Sequence, residues 1–239
     1  MQTITQVLAQ ELGQKPEYVE NVVALMDEGN TIPFIARYRK EMHGAMDDTT
    51  LRNLETRLTY LRNLQARRDE VKRSIENQGK LTQGLSDAID AAATMTEVED
   101  LYRPYKQKRR TRGSIAREKG LEPLAEAIFA QDGSDPQALA ENYIDPEKGV
   151  NSLEEALQGA NDIIAENLSD DAEIRKALRA LVLRRGSLTC KAAEDAQPDG
   201  VYKLYYDFSQ PIFRLLDHQI LAMNRGEKEG VLKLGVTLP

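Results

Sequence analysis

The chain has 239 residues, 41% apolar and 30% charged, with 32 Lys and Arg against 39 Asp and Glu, a net charge of −7. That balance excludes a disordered chain, allows one large domain or two small ones, and supports a real core. A single cysteine, Cys190, rules out an internal disulfide, no apolar run approaches the ~18 residues of a membrane span, and no basic-then-apolar leader opens the chain, so it reads as cytoplasmic.

Nine Tyr, four Phe and no Trp are few aromatics for a β sandwich, and helical periodicity dominates. Pro16 opens "PEYVENVVALMDEGN", where Val19, Val22, Val23 and Met26 recur at helical spacing before Gly29. A second helix, "TIPFIARYRKEMHG", follows a tight turn; Thr31 is its cap, Pro33 lies in its first turn and Gly44 closes it. Together, residues 16–44 have a helix-turn-helix-like pattern. Phe34, Ile35, Tyr38 and Met42 share an apolar side that fits docking against a neighbouring helix. Ile32, Pro33, Phe34 and Ile35 offer no side-chain hydrogen bonds to bases, which argues against sequence-specific reading.

The clearest element is a long helix over 48–78, with a stripe of Leu51, Leu54, Leu58, Leu61, Leu64, Val71 and Ile75. Asp47 and Asp48 suit its start and Gly79 its end. A returning segment carries Leu85, Ile89, Met95, Val98 and Leu101, with Thr96 and Glu99 spaced as a capping box. Short helices follow, then "NSLEEALQGANDIIAENL", with Ser152 and Glu155 as a second box. "DDAEIRKALRALVLRRG" has acids first and bases last, as the helix dipole favours. From about Ser187 aromatics increase, and "GVLKLGVTLP" reads as a lone strand. The expected fold class is mostly α: a helical domain over 1–186, then a helical segment and strand over 187–239.

Catalytic signatures are missing. His43 and His218 have no ligand pair at metal spacing, one cysteine builds no zinc site, and no phosphate loop, dinucleotide fingerprint or nucleophile elbow occurs; no cofactor is indicated. The paired acids Asp47/Asp48, Glu154/Glu155 and Asp170/Asp171 are read as helix starts. Cys190 is read as a small packed residue and His218 as a structural histidine.

One stretch stands apart: "LYRPYKQKRRTRGSIAREKG". Between 103 and 119 it carries Arg103, Lys106, Lys108, Arg109, Arg110, Arg112, Arg117 and Lys119 against Glu118 alone, net +7, so the remainder of the chain carries −14. Pro104 and Gly113 are read as helix breakers, which makes the run an exposed loop. Interleaved with Tyr102 and Tyr105, it fits a surface that holds a nucleic-acid backbone and stacks a base. Docking onto acidic surface elsewhere, a solvated face, and core positions for the two tyrosines remain open beside that reading.

Two stretches, "NTIPFIARYRKEMHGAMDD" and "EDLYRPYKQKRRTRGSIAREKGLEPLA", resemble the signature blocks of the bacterial Tex family of transcription accessory proteins. "GANDIIAE" and "YYDFSQPIFRLLDHQILAMNRGEKEGVL" extend the resemblance over nearly the whole chain, in order. It implies an N-terminal helical scaffold, not an enzyme, leading into a ribonuclease-H-like domain, a helix-hairpin-helix module and an RNA-binding OB-fold. Related eukaryotic factors work with RNA polymerase and chromatin. The implied partner is nucleic acid, RNA first, mainly through domains absent from this chain, with the transcription machinery as a second partner and no membrane. Where the family pattern has serine-histidine-arginine, this chain has Asp217, His218 and Gln219, one positive charge fewer. A protein-interaction module gripping an acidic partner and part of a metal-dependent nuclease are the rival readings.

Overall fold

The computed structural model describes residues 3–106, 110–194 and 200–239. The fold is mostly α, with one small antiparallel sheet. The chain forms two compact units, Met1–Tyr105 and Lys106–Pro239.

The first unit is built on one helix that serves two cores. In chain order it has α1 (Ile4–Leu12), α2 (Pro16–Asp27), α3 (Ile32–Tyr38), α4 (Asp48–Glu76), α5 (Gln83–Ala91) and α6 (Met95–Tyr102), then a 3-10 turn, Arg103–Tyr105. The leucine stripe of α4 is divided between the cores. Leu51, Leu54 and Leu58 pack with Leu8, Val19, Val22, Ile32 and Ile35 of α1 to α3. Leu64, Val71 and Ile75 pack with Ile89 and Val98 of α5 and α6. Neither group of short helices buries its apolar face without α4, which is why an isolated reading of them gives only fragments of pattern. The start of α4 is held by Asp47, whose carboxylate accepts from the Thr50 N–H at 2.7 Å.

Two local expectations change here. α3 stops at Tyr38, well before Gly44, because the chain turns back at Arg39. Gly44 lies in that return with φ +59, and a Cβ there would run into the Tyr18 ring. The capping box of α6 is Thr94 with Glu97, two residues earlier than the Thr96 and Glu99 spacing indicated. His43 is 2% exposed, and among the described residues neither of its ring nitrogens has a hydrogen-bond partner.

The second unit holds α7 (Arg112–Glu118), α8 (Glu122–Ala130), α9 (Pro136–Glu141), α10 (Leu153–Asp170) and α11 (Ala172–Arg185), followed by β1 (Ser187–Ala192), β2 (Asp207–Pro211), α12 (Asp217–Lys228) and β3 (Leu232–Thr237). Small residues let α7, α8 and α10 approach closely: Ala116, Ala125, Ala156 and Ala160 are buried with Leu121, Leu124 and Ile163. Ser152 caps α10 by accepting from the Glu155 N–H, but the Glu155 carboxylate accepts from Asn151 N–H, so the reciprocal half of the box shifts by one residue. Asp171 caps α11, whereas Asp170 ends α10 and is buried, so it is not at a helix start.

The strand at the C-terminus is not alone. β3 pairs antiparallel with β1, Cys190 opposite Leu234, and β1 pairs with β2, Cys190 opposite Phe208, giving the order β2-β1-β3. Cys190, Tyr202, Met223 and Leu232 form the small core between the sheet and α12. Burial raises the Cys190 thiol above its ordinary pKa, consistent with a packed residue. His218, by contrast, is exposed on α12 and has no structural core position.

Candidate nucleic-acid interface

Among the described residues, the basic run is divided between a 3-10 turn, an exposed stretch and a helix. Arg103 belongs to the last 3-10 turn of the first unit and is exposed. Tyr102 and Tyr105 pack onto the second α4 core; the Tyr102 hydroxyl shares a 2.9 Å hydrogen bond with Ser74 Oγ, and the Arg67 guanidinium lies 5.5 Å over its ring. These tyrosines are core residues rather than open stacking platforms.

Lys106 begins the second unit and is exposed. Lys108 and Arg109 lie outside the described residues. From Thr111 the run becomes helix. Thr111 Oγ1 accepts from the Ser114 N–H, and Ser114 Oγ accepts from the Thr111 N–H, a capping box that starts α7 at Arg112. Gly113 therefore does not break a helix; it sits in the first turn of α7, buried against α10, and a Cβ there would meet the Glu166 carboxylate. Close approach to an acidic helix, not a turn, explains this glycine.

That approach divides the cations. Arg117 donates through Nη1 to Glu166 Oε2 at 2.7 Å, through Nη2 to Asn167 Oδ1 at 2.6 Å, and through Nε to Glu122 Oε1 at 3.1 Å. Its half-buried site works against the charge, but Glu166 and Glu122 hold it, and its pKa is raised above the ordinary arginine value. Lys119 donates to the Gly149 carbonyl at 2.6 Å. Arg117 and Lys119 are therefore internal fasteners. Arg110 and Arg112 differ. Among the described residues Arg110 meets exposed Glu118, at 3.0 Å, and the Arg112 side chain is 84% exposed, with Asp162 at 3.7 Å. Pairs this open contribute little and exchange readily for another anion.

Arg112 and Lys119 also border a groove of about 540 Å³ between α7 and the start of α10, with Ile115 and Leu121 on its floor and Glu154, Glu155 and Asp162 opposite. The acceptors Asp162, Glu166 and Asn167 were not legible as partners of the basic run. The available signal is the i, i+4 spacing of Asp162 and Glu166, which places both on one side of α10. Among the described residues, no group of three or more His, Cys, Asp or Glu stands close enough to hold a metal ion, and no helix is long and apolar enough to cross a membrane.

Two family models match the chain. Residues 2–76 match the Tex-like protein N-terminal domain and residues 131–239 the Tex central region-like family. The chain belongs to the Tex family. It is 48% identical over 232 residues to "Protein tex" of Bordetella pertussis, covering 97% of this chain and 29% of that protein. It is 41% identical over 234 residues to "Transcriptional accessory protein Tex" of Neisseria gonorrhoeae, covering 98% and 31%. It is also 32% identical over 244 residues to human "S1 RNA-binding domain-containing protein 1", covering 98% and 24%. The chain thus spans about a third or less of the length of these curated relatives.

Proposed function

We propose that these 239 residues act as a non-catalytic scaffold of a Tex-family transcription accessory protein, cytoplasmic, whose partner is nucleic acid and RNA in particular. Most of the RNA affinity would reside in other domains of the full-length protein, chiefly the C-terminal OB-fold domain that the family resemblance implies. The observation that carries the scaffold reading is α11. None of its residues is buried, and Leu178 and Leu183 are 51% and 55% exposed. Phe213, Leu216 and Leu221, near and on α12, are 65%, 56% and 69% exposed. Covering the exposed half or so of one such side chain contributes roughly 1 to 2 kcal/mol, so the same second unit offers a seat for further protein. Hydrogen exchange checks this. Peptides over 172–185 and 213–221 should exchange fast in this chain and slowly in a full-length Tex-family member. Equal exchange in both removes the scaffold reading.

Within this scaffold, Arg110 and Arg112 are proposed as the part of the basic run that reaches phosphate. Anisotropy titrations with labelled RNA across a salt series, on the parent and on Arg110→Glu with Arg112→Glu, test that role. Unchanged affinity assigns these cations to an acidic protein partner instead. The nuclease reading would have to draw its metal ligands from beyond the described residues, and the absence of cleavage with added magnesium or manganese would dispose of it.

A further inference from the structure

The short helix α3 turns two aromatic rings away from the core. Ile32 and Ile35 are 3% and 0% exposed and belong to the first core around α4. With ~3.6 residues per turn, Pro33, Phe34, Arg37 and Tyr38 then share the opposite side. Phe34 is 36% exposed and Tyr38 57%. Their ring centroids are 5.2 Å apart with the planes at 46°, and the Arg39 guanidinium lies 5.4 Å from the Phe34 centroid. The two rings and the guanidinium thus lie together on one short segment.

The charges around it are unusual for this unit. Along α4, Arg52, Arg57, Arg62 and Arg67 meet Asp48, Glu11, Asp27 and Glu99 respectively. Arg37, Arg39 and Lys40 are all exposed, and among the described residues none of them pairs with a carboxylate. Three cations and one exposed carboxylate, Glu41, beside two outward rings give a compact, net-positive site that suits a polyanion presenting flat, unstacked rings.

We infer that this outward side of α3, with Arg39 and Lys40, binds single-stranded RNA. Tyr38 takes a base on its open face, Phe34 and the Arg39 guanidinium flank it with further apolar and cationic surface, and Arg37 and Lys40 hold adjoining phosphates. Duplex RNA fits poorly, because its bases already stack on one another. No amide side chain lies on this face to read base edges, so the site tolerates sequence. Its small size suits it to hold a strand that continues elsewhere on the full-length protein. This goes beyond the reading of Arg110 and Arg112, uses other residues in the other compact unit, and stands or falls separately.

The test is anisotropy of this chain with a labelled single-stranded oligouridine and with duplex RNA of equal length, across salt, with circular dichroism to confirm folding. Phe34→Ala with Tyr38→Ala should weaken single-strand binding about tenfold and leave the salt slope unchanged, because the rings touch bases. Tyr38→Phe should bind like the parent. Arg37→Gln with Lys40→Gln should make the log–log salt slope shallower by roughly 0.7 for each phosphate no longer neutralised. A folded double-alanine variant that binds like the parent overturns the inference, as does equal binding of duplex with the same sensitivities. A parent that leaves single-stranded RNA unbound at low salt also overturns it and assigns the rings to a protein partner. Loss of binding on Arg110→Glu with Arg112→Glu, with no effect of the α3 variants, upholds the basic run and overturns only this inference.

Discussion

Nη1 of Arg117 lies 2.7 Å from Oε2 of Glu166, joining α7 to α10 inside the second unit. Arg117 reaches two further acceptors, on Asn167 and Glu122, so one side chain of the basic run ties together three helices. Removing it takes the 2.7 Å Arg117 contact from Glu166, whose side chain is 14% exposed. Arg117→Ala should cost about 2 kcal/mol of stability, the scale of hydrogen bonds to charged groups. Urea unfolding measures this. A loss below about 0.5 kcal/mol would place Arg117 among ordinary surface cations, and a double-mutant cycle with Glu166→Gln isolates the pair.

Gly44 provides a second prediction. Its φ of +59 is a conformation that side chains disfavour, and the Tyr18 ring occupies the space a Cβ would take. Gly44→Ala should destabilise the first unit by roughly 2 kcal/mol or more, through strain and displacement of the ring together. Combining it with Tyr18→Ala should recover the steric share but not the conformational one, which thermal melts can separate.

The buried ring of His43 leads to the opposite sign. Among the described residues both its nitrogens lack partners, so its polarity is a burden on the core. His43→Leu, similar in size and apolar, should be neutral or stabilise by up to about 1 kcal/mol. A clear fall in melting temperature would reveal a partner for the imidazole.

Acid should weaken the first unit in a specific window. Side-chain hydrogen bonds from Arg57 and Arg62 hold Glu11 and Asp27 below their ordinary values of 4.5 and 3.8. Folded pKa values that are depressed contribute stability above the unfolded pKa and lose it as pH falls through the folded one. Stability should therefore be flat from neutral pH to about 4.5 and fall below it. Both pairs are solvent-exposed, so each share is under about 1 kcal/mol. Glu11→Gln with Asp27→Asn should flatten that part of the acid limb; an unchanged limb would show that other carboxylates dominate it.

Local pattern made much of this chain legible. The stripe from Leu51 to Ile75 predicts a helix over 48–78, and α4 runs from Asp48 to Glu76, because helical periodicity and N-capping depend on residues a few positions apart. The mostly α class and the family membership were readable for the same reason: their signals are continuous in sequence. Other features depended on partners far along the chain. The sheet was missed because Ser187–Ala192 and Asp207–Pro211 are short and half polar, and only their register with Leu232–Thr237 makes them strands. The sequence alone puts eight cations between 103 and 119, but it assigns none of them a counter-charge. Packing of α7 on α10 turned Arg117 inward, the Gly149 carbonyl took Lys119, and Arg110 and Arg112 remained outward. On α3, the apolar pattern grouped Phe34 and Tyr38 with Ile35, yet the core around α4 took Ile32 and Ile35 and turned the rings to solvent. Composition and periodicity determined the helices; long-range burial and charge pairing decided which side chains remain available to a partner.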